Sequence, residues 1–300
     1  MRQFLPVLLA FALAPLVPTP APAQSPIDFT RTEDVVYGRK FGVALTLDII
    51  QPKSPNGYGI IYLVSGGWRS NHDGINPNYY APYLERGYTV FAVCHGCQPK
   101  FTIPEIDEDI NRAVRFIRHN AGRWQIKPDH LGVTGGSAGG HLSLTLGTMG
   151  GPGNADARDG VDRESSAVQA VACFYPPTDF LNYGGPGEDG LGTGLLKDLR
   201  AAFFAPDAED TPEIHQKLGR EISPIYHISH HMPPTLIIHG DADKRVPIQQ
   251  SETFVQKATA AGATAKLIVK PGAGHGWTNQ GPDVMILADW FDQYLRGIKK

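Results

Sequence analysis

The sequence of 300 residues predicts an α/β fold, in which a mostly parallel sheet carries helices on both faces. Short β-branched apolar runs alternate along the chain with segments of helical periodicity, which is typical of repeated strand–helix–strand units. Hydrophobic residues make up 41% and charged residues 19% of the chain, and the net charge is −3. This balance gives no electrostatic reason to expect nucleic acid or an anionic membrane as the partner.

The first half of the chain predicts an antiparallel pair followed by buried strands. Two apolar runs within Val35–Ile50 flank Gly38–Lys40, a pattern that favours a hairpin. Gly59–Val64 and Tyr88–Cys94 are almost continuously apolar, as expected of strands that are covered on both faces. These two runs therefore predict the first parallel strands of the sheet.

Helical periodicity separates and follows these strands. Tyr79–Arg86 predicts a helix that ends at Gly87, because glycine suits the left-handed conformation of a helix cap. Apolar residues recur on one face from about Pro104 to Asn120, which predicts a longer helix. Leu131–Thr134 is a short strand before a glycine-rich turn, and a further helix is predicted from His141 onward.

The second half continues the alternation. Strands are predicted at Val168–Tyr175, Thr235–His239 and Lys266–Val269, and helices at Ser251–Ala261 and Val284–Leu295. Together with the first half, this gives a sheet whose consecutive strands are joined by helical crossovers.

An insertion around residues 181–222 interrupts the alternation. Glycines within 184–194 predict loop structure, whereas Leu195–Phe204 and Glu213–Arg220 have helical periodicity. Long connections in compact domains are usually functional, so we interpret the insertion as a cap near the site. A long surface loop without a function is the alternative.

The first 23 residues have the features of a signal peptide. Arg2 precedes an apolar run from Phe4 to Val17, and Ala21-Pro22-Ala23 supplies the small-x-small pattern of a cleavage site. The run is shorter than the roughly 20 residues that a membrane span needs. We therefore expect residues 24–300 to form one secreted or periplasmic domain that has no membrane anchor after signal cleavage.

Three cysteines, Cys94, Cys97 and Cys173, are too few for a disulfide scaffold. A single Cys-x-x-Cys also supplies too few ligands for structural zinc. Export would permit a disulfide between Cys94 and Cys97, and two idle thiols fit the sequence equally well. We assign these cysteines no catalysis, and we expect no metal and no cofactor.

The strongest local signal is the run Gly135–Leu142, which contains Gly-x-Ser-x-Gly around Ser137. It lies directly after a predicted strand and before a helix, which is the context that a nucleophile elbow requires. A strand that turns sharply into a helix strains the serine backbone, and small neighbours avoid collisions around it. A phosphate-binding turn or a plain loop is the alternative, but the strand–turn–helix context favours the elbow.

A nucleophilic serine needs a base, and the base needs an orienting acid. Two loops that follow adjacent predicted strands offer both: the first carries Asp241 and Asp243, and the second carries His275. Ligands bind where such loops leave the carboxyl ends of parallel strands. Asp179, which follows a third strand, is another candidate acid.

Three motifs resemble the serine esterases of the α/β-hydrolase superfamily. They are Gly-Gly-Ser-Ala-Gly-Gly-His-Leu at 135–142, His-Gly-Asp-Ala-Asp-x-x-Val-Pro at 239–247 and Gly-x-Gly-His-Gly-Trp at 272–277. The resemblance is closest to the bifunctional acetyl-xylan and feruloyl esterase-like group, which overlaps with prolyl-oligopeptidase-type hydrolases. It covers most of residues 35–298 and implies an α/β-hydrolase fold.

The resemblance also implies the roles of the site residues. Ser137 would be the nucleophile, His275 the base and Asp243 the acid that orients it, ranked ahead of Asp179 and then Asp241. The remaining histidines are weaker candidates. His141 is expected to pack or cap, and solvated loop positions are expected for three others: His227, His230 and His231.

The oxyanion hole is where the sequence departs from the family pattern. One donor would be the N–H group of Ala138, which follows the nucleophile. The other would come from the loop Ser65–Trp68, where Ser65 stands in place of the histidine of His-Gly-Gly. Because backbone N–H groups stabilise the oxyanion, the missing side chain need not abolish it. The donor would be Gly67 or Trp68.

These residues predict an exported serine carboxylic-ester hydrolase that forms an acyl-serine intermediate. Its substrates would be small acyl or aryl esters, and the resemblance together with export implies acetyl or feruloyl esters of plant polysaccharide as candidates. Four aromatic residues are candidates for the acyl pocket, with simple packing as the alternative: Trp68, Phe180, Tyr183 and Trp277.

Two other functions compete with the esterase. A prolyl-oligopeptidase-like peptidase would use the same triad, although no propeller-forming repeats precede the catalytic region. A non-catalytic binding protein on the hydrolase fold is the other alternative. Retention of Ser137, Asp243 and His275 together argues against it, because a decayed enzyme would have no need of all three.

Overall fold

An eight-stranded sheet forms the centre of the protein, which a computed structural model describes over residues 28–299. The strands are β1 Phe29–Lys40, β2 Val43–Pro52, β3 Gly59–Val64, β4 Thr89–Cys94, β5 Leu131–Thr134, β6 Ala170–Phe174, β7 Thr235–Gly240 and β8 Ala265–Lys270. The α-helices of these residues are α1 Ala81–Leu84, α2 Ile103–His119, α3 Ala138–Met149, α4 Pro212–Ile222, α5 Gln249–Ala260 and α6 Gly281–Arg296.

The strand order is β1-β2-β4-β3-β5-β6-β7-β8. The pairs β1–β2 and β2–β4 are antiparallel, and every later pair in this order is parallel. The prediction of a mostly parallel sheet is therefore confirmed. The carboxyl ends of β3, β5, β7 and β8 lie at one edge of the sheet, so the loops that leave them converge there.

Helices cover both faces of the sheet, as the alternation predicts. Buried residues of α2, α3 and α5 belong to the core on one face, and those of α1 and α6 belong to the core on the other. Ile60 and Ile61 of β3 are fully buried on opposite faces, which explains why the run is apolar without alternation. Helix α2 begins with a capping box between Thr102 and Glu105, within one residue of the predicted start.

Three predicted boundaries are wrong. The first hairpin turns at Phe41 and Gly42, both with positive φ, because Gly38 lies at a register shift inside β1 instead. A phenylalanine at positive φ is rare, so the turn could not be expected at this position although it contains Gly42. The region predicted as the helix Tyr79–Arg86 contains a 3₁₀ turn and only the four residues of α1. Helix α3 begins at Ala138, three residues before the predicted start.

The insertion around 181–222 contains a 3₁₀ helix at Gly194–Ala202 and helix α4. Three of its residues, Tyr183, Leu196 and Leu199, line a cavity at the carboxyl edge of the sheet. The predicted signal peptide, residues 1–23, lies outside the described residues. Within 28–299, none of the helices combines the length and the apolar character that crossing a membrane requires.

Candidate active site

Ser137 lies at a strained turn between β5 and α3, with φ 55° and ψ −120°. Its N–H group donates to the carbonyl of Phe174 at 3.1 Å. A Cβ atom on Gly135 would lie 2.6 Å from the backbone of Gly139, and one on Gly139 would lie 2.7 Å from the carbonyl oxygen of Leu63. Both positions therefore require glycine, and the glycines of the motif allow the turn to form.

A chain of hydrogen bonds connects three side chains at this edge of the sheet. Nε2 of His275 lies 2.9 Å from Oγ of Ser137, and Nδ1 of His275 lies 2.7 Å from Oδ2 of Asp243. A carboxylate only accepts, so Nδ1 carries the proton and Nε2 accepts from the hydroxyl of Ser137. The loops after β5, β7 and β8 thus bring together the predicted nucleophile, base and acid.

Asp243 is held as a carboxylate. Burial opposes its charge, but hydrogen bonds from His239, His275 and the N–H group of Val246 outweigh this effect and keep the pKa of Asp243 well below its usual value. The N–H groups of Arg245 and Val246 donate to Oδ1 at 2.8 and 2.9 Å, respectively. Asp243 therefore stays negative where it can stabilise a positive charge on His275.

His239 contacts the Asp243 carboxylate, and the sequence did not predict this contact. It is fully buried, and its Nε2 lies 2.9 Å from the carbonyl of Val246 and 3.3 Å from Oδ2 of Asp243. Its Nδ1 lies 2.6 Å from Oγ of Ser251. The carbonyl requires a proton on Nε2, so Nδ1 accepts from Ser251 and His239 is a second donor beside Asp243. Its place in the His-Gly-Asp run could have signalled this role.

The two competing acids lie in other networks. Asp179 is buried and accepts hydrogen bonds from the side chains of Asn182 and Tyr226 at 2.9 and 3.1 Å. These contacts fix the start of the insertion. Asp241 accepts from the N–H group of Gly272 at 2.6 Å, which joins the loops after β7 and β8. Neither has a hydrogen bond to His275.

The loop after β3 presents backbone donors beside Ser137. Gly66 and Arg69 exchange backbone hydrogen bonds at 2.9 and 3.0 Å, and Gly67 and Trp68 between them have φ values of 55° and 57°. Among the described residues, none accepts from the N–H group of Gly67 or of Trp68. The N–H group of Ala138 lies in the first turn of α3, where helices leave donors without intrahelical acceptors. All three residues line one cavity with Ser137.

The indole of Trp68 is buried and anchors this loop against α3. Its Nε1 donates to Nδ1 of His141 at 3.2 Å, and Nε2 of His141 donates to the carbonyl of Ile222 at 2.7 Å. Burial lowers the pKa of His141 to about 4, so this histidine is neutral at pH 7, as a single proton on Nε2 requires. His141 packs as expected, and it also joins the loop after β3, α3 and the end of α4.

The cavity at Ser137 has a volume of about 410 Å³. Its other walls come from residues far apart in the sequence: Tyr62, Tyr79, Tyr175, Pro177, Tyr183, Leu196, Leu199, Arg245, Val246 and Gln280. Of the aromatic candidates, Trp68 and Tyr183 line the cavity. Phe180 and Trp277 do not; Phe180 packs on Trp68, and Trp277 packs on Tyr175. The tyrosines of the walls carry no local sequence signal.

The other candidate histidines and the three cysteines do not line this cavity. His227 donates to the last-turn carbonyls of α4 and therefore caps that helix, whereas His230 and His231 are exposed. The three cysteines are free thiols, so Cys94 and Cys97 do not form the disulfide that the sequence left open.

One group of residues brings potential metal ligands together. Single ligand atoms of Asp34, Asp48 and His72 lie within 4.8 Å of one another. The guanidinium of Arg31 already contacts the buried Asp48 carboxylate at 2.6 Å. Arg31 therefore already supplies the positive charge beside the Asp48 carboxylate. The group is an ion-pair network between β1, β2 and the loop after β3.

Comparison with known proteins gives consistent matches. A family model described as BD-FAE matches residues 47–258. The chain is 28% identical to the probable carboxylic ester hydrolase LipM of Mycobacterium tuberculosis, over 77% of this chain and 52% of that protein. It spans about half the length of the curated relatives it matches.

Solved structures extend this likeness to the fold. A truncated carbohydrate esterase from gut microbiota has a TM-score of 0.75 and 27% identity, covering 92% of this chain and 99% of that one. Esterase 2 of the Planctomycetes species Thermogutta terrifontis has a TM-score of 0.65 and 25% identity, covering 89% and 91%. The predicted α/β-hydrolase fold is confirmed.

Proposed function

The chain belongs to the BD-FAE family, and on that premise we propose that it is a carboxylic ester hydrolase that uses Ser137 as its nucleophile. The observation that carries the proposal is the hydrogen-bonded chain from Ser137 through His275 to Asp243, with distances of 2.9 and 2.7 Å. This chain opens onto a cavity that Ala138, Gly67 and Trp68 also line.

The reaction would proceed in two halves. His275 takes the proton of Ser137 as Oγ attacks the ester carbonyl, and Asp243 stabilises the resulting imidazolium. His275 then gives the proton to the leaving alcohol, which leaves an acyl-serine. Water attacks this ester by the same route, with His275 as the base, and releases the acid.

Backbone N–H groups would stabilise the negative oxygen of both tetrahedral intermediates. Ala138 supplies one donor from the first turn of α3, and Gly67 or Trp68 supplies the other from the loop after β3. Positive φ at both loop residues supports this role, because the strained turn leaves their N–H groups without acceptors among the described residues.

We propose small acyl or aryl esters as substrates, with acetyl or feruloyl esters on polysaccharide as the class to test first. A cavity of about 410 Å³ accommodates a small acyl group together with part of an alcohol. The carbohydrate part is supported by the likeness to the carbohydrate esterase from gut microbiota. Residues 1–23 have the features of a signal peptide, so we propose a secreted or periplasmic location.

The test is hydrolysis of p-nitrophenyl acetate by the wild-type protein, by Ser137→Ala and by Ser166→Ala. Ser166 is a buried serine that bonds to Gly151, away from the cavity, and is the matched control. We expect kcat to fall by about 10⁴-fold or more in Ser137→Ala and to stay near the wild-type value in Ser166→Ala. A folded wild-type protein without turnover, or a Ser137→Ala variant that keeps it, contradicts the proposal.

The substrate class needs a second comparison on the active protein. Acetylated xylan, methyl ferulate and an aminoacyl p-nitroanilide separate acetyl esters, feruloyl esters and amides. We expect release of acetate or ferulate and little cleavage of the anilide. Preferred cleavage of the anilide would favour a peptidase instead.

A further inference from the structure

Ser65, which stands where the family pattern has a histidine, is hydrogen-bonded to a histidine from the neighbouring strand. Its Oγ lies 2.8 Å from Nε2 of His95, the residue that follows β4. Nδ1 of His95 lies 2.5 Å from the carbonyl oxygen of Gly96. A carbonyl only accepts, so Nδ1 carries the proton and Nε2 accepts from the hydroxyl of Ser65. Burial lowers the pKa of His95 to about 4, which keeps this arrangement at pH 7.

Gln98 holds two further residues of the same loop, Gly67 and Trp68. Its side chain is buried, and its Nε2 donates to the carbonyl of Gly67 at 2.9 Å, while its N–H group donates to the carbonyl of Trp68 at 3.2 Å. In a trans peptide the C=O of one residue and the N–H of the next point in opposite directions. Fixing the Gly67 carbonyl toward Gln98 therefore turns the N–H group of Trp68 away from Gln98.

The segment that carries His95 and Gln98 is itself anchored. The N–H group of Gly96 donates to Asp109 of α2 at 2.9 Å, and Lys40 of β1 forms an ion pair with the same carboxylate at 2.6 Å. Sγ of Cys97 accepts from the N–H group of Ser70 at 3.0 Å, which closes the far end of the loop. The loop after β3 thus rests on a buried platform that β1, β4 and α2 fix.

We propose that Ser65, His95 and Gln98 are positioning residues that hold the loop after β3 so that its donor, the N–H group of Gly67 or Trp68, faces the oxyanion, in place of the missing family histidine. This inference rests on the proposed ester hydrolysis at Ser137. The Ser65–His95 pair occupies the side of the loop next to β4, and the Trp68–His141 bond occupies the side next to α3. A variant that lacks the hydrogen bond on one side of the loop keeps the hydrogen bond on the other side. The backbone donors of the loop are then displaced, while the fold is retained.

The experiment measures p-nitrophenyl acetate hydrolysis by Ser65→Ala, Ser65→Thr and Gln98→Ala. We expect kcat to fall by about 10- to 100-fold in both alanine variants with KM within about twofold of wild type, because the donors act on the transition state. Ser65→Thr keeps the hydroxyl and retains most of the activity. Inhibition by phenyl trifluoromethyl ketone, which places an oxyanion in the hole once Ser137 adds to it, weakens by the same factor as kcat.

Gln169→Ala is the matched control for Gln98→Ala. The Gln169 side chain also bonds to the backbone: its Oε1 accepts from the N–H group of Leu131 at the start of β5, and its Nε2 donates to the carbonyl of Ala167 before β6, at the opposite edge of the sheet. Thermal unfolding should show comparable losses of stability in the two glutamine variants, but only Gln98→Ala should lose kcat.

Several outcomes separate this inference from the proposed function. Wild-type activity that is lost in Ser137→Ala, but unchanged in Ser65→Ala and Gln98→Ala, overturns only the positioning role. So does a loss of kcat in Gln169→Ala equal to that in Gln98→Ala, or a Ser65→Thr variant as impaired as Ser65→Ala. A folded wild-type protein without activity overturns both proposals.

Discussion

Acidification should destabilise the protein through the buried imidazole of His141, and substitution by glutamine should remove that effect. His141 is fully buried and neutral, bonded at Nδ1 to the indole of Trp68 and at Nε2 to the carbonyl of Ile222. Glutamine does not titrate, and its amide can still donate to the Ile222 carbonyl. The variant therefore separates the proton-binding effect from the loss of the helix-to-loop contact.

The magnitude follows from the pKa of His141, which burial lowers from 6.5 to about 4. Between these values the unfolded chain binds a proton that the folded protein does not, so stability falls as the pH falls. One pKa unit corresponds to about 1.4 kcal/mol, so the loss from this residue is about 3 kcal/mol between about pH 7 and pH 4. His95 acts in the same direction, but it is present in both proteins and cancels in the comparison.

The assay is urea unfolding followed by tryptophan fluorescence at several pH values, for the wild-type protein and His141→Gln. At neutral pH we expect the variant to be less stable by about 1–3 kcal/mol, because the Trp68 indole loses its acceptor. The difference in unfolding free energy should shrink or reverse toward pH 4, because only the wild-type protein loses stability through protonation of residue 141. The exposed His230→Gln is the control and should run parallel to wild type. Parallel curves for His141→Gln would refute the reasoning.

Two further substitutions test the site. Asp243→Asn should lower kcat for p-nitrophenyl acetate by about 10³- to 10⁴-fold, because the amide favours the wrong tautomer of His275, whereas Asp241→Asn should leave kcat within a few-fold. Equal effects of the two would argue that Asp243 is not the orienting acid. Gly139→Ala should cost about 1–3 kcal/mol in thermal unfolding and reduce kcat, since its Cβ would lie 2.7 Å from the Leu63 carbonyl and force α3 to move. A variant as stable and active as wild type would contradict the close approach of α3 to β3.

The architecture could be predicted because its local patterns agree with the tertiary structure. The continuous apolar run of β3 matches a strand that is buried on both faces, and the stripe of α2 matches a helix with one packed face. Errors arose where backbone conformation depends on more than pattern. The turn at Phe41 and the 3₁₀ structure before α1 are examples. The turn places a phenylalanine at positive φ, and Asn76 and Pro77 begin a 3₁₀ turn where helical periodicity predicts an α-helix.

The residues that meet at Ser137 were also predictable, since motif spacing and strand order place three loops at one edge of the sheet. The walls of the cavity and the supports of the loop after β3 were not. Tyr79 and Gln280 line the same cavity only because of the fold, and the pairing of Ser65 with His95 depends on β3 and β4 being neighbours. Such contacts leave no periodicity or spacing in a single sequence.

The measurement that tests the central claim most directly is labelling of the folded protein with a fluorophosphonate, followed by mass spectrometry of its peptides. The proposed mechanism predicts one adduct, on Ser137, that forms in the native protein and not after thermal unfolding, because the strained turn and His275 activate this serine alone. The neutral, weakly basic His95 should leave Ser65 unlabelled. Absence of an adduct on folded protein, or an adduct on another serine, would contradict the account.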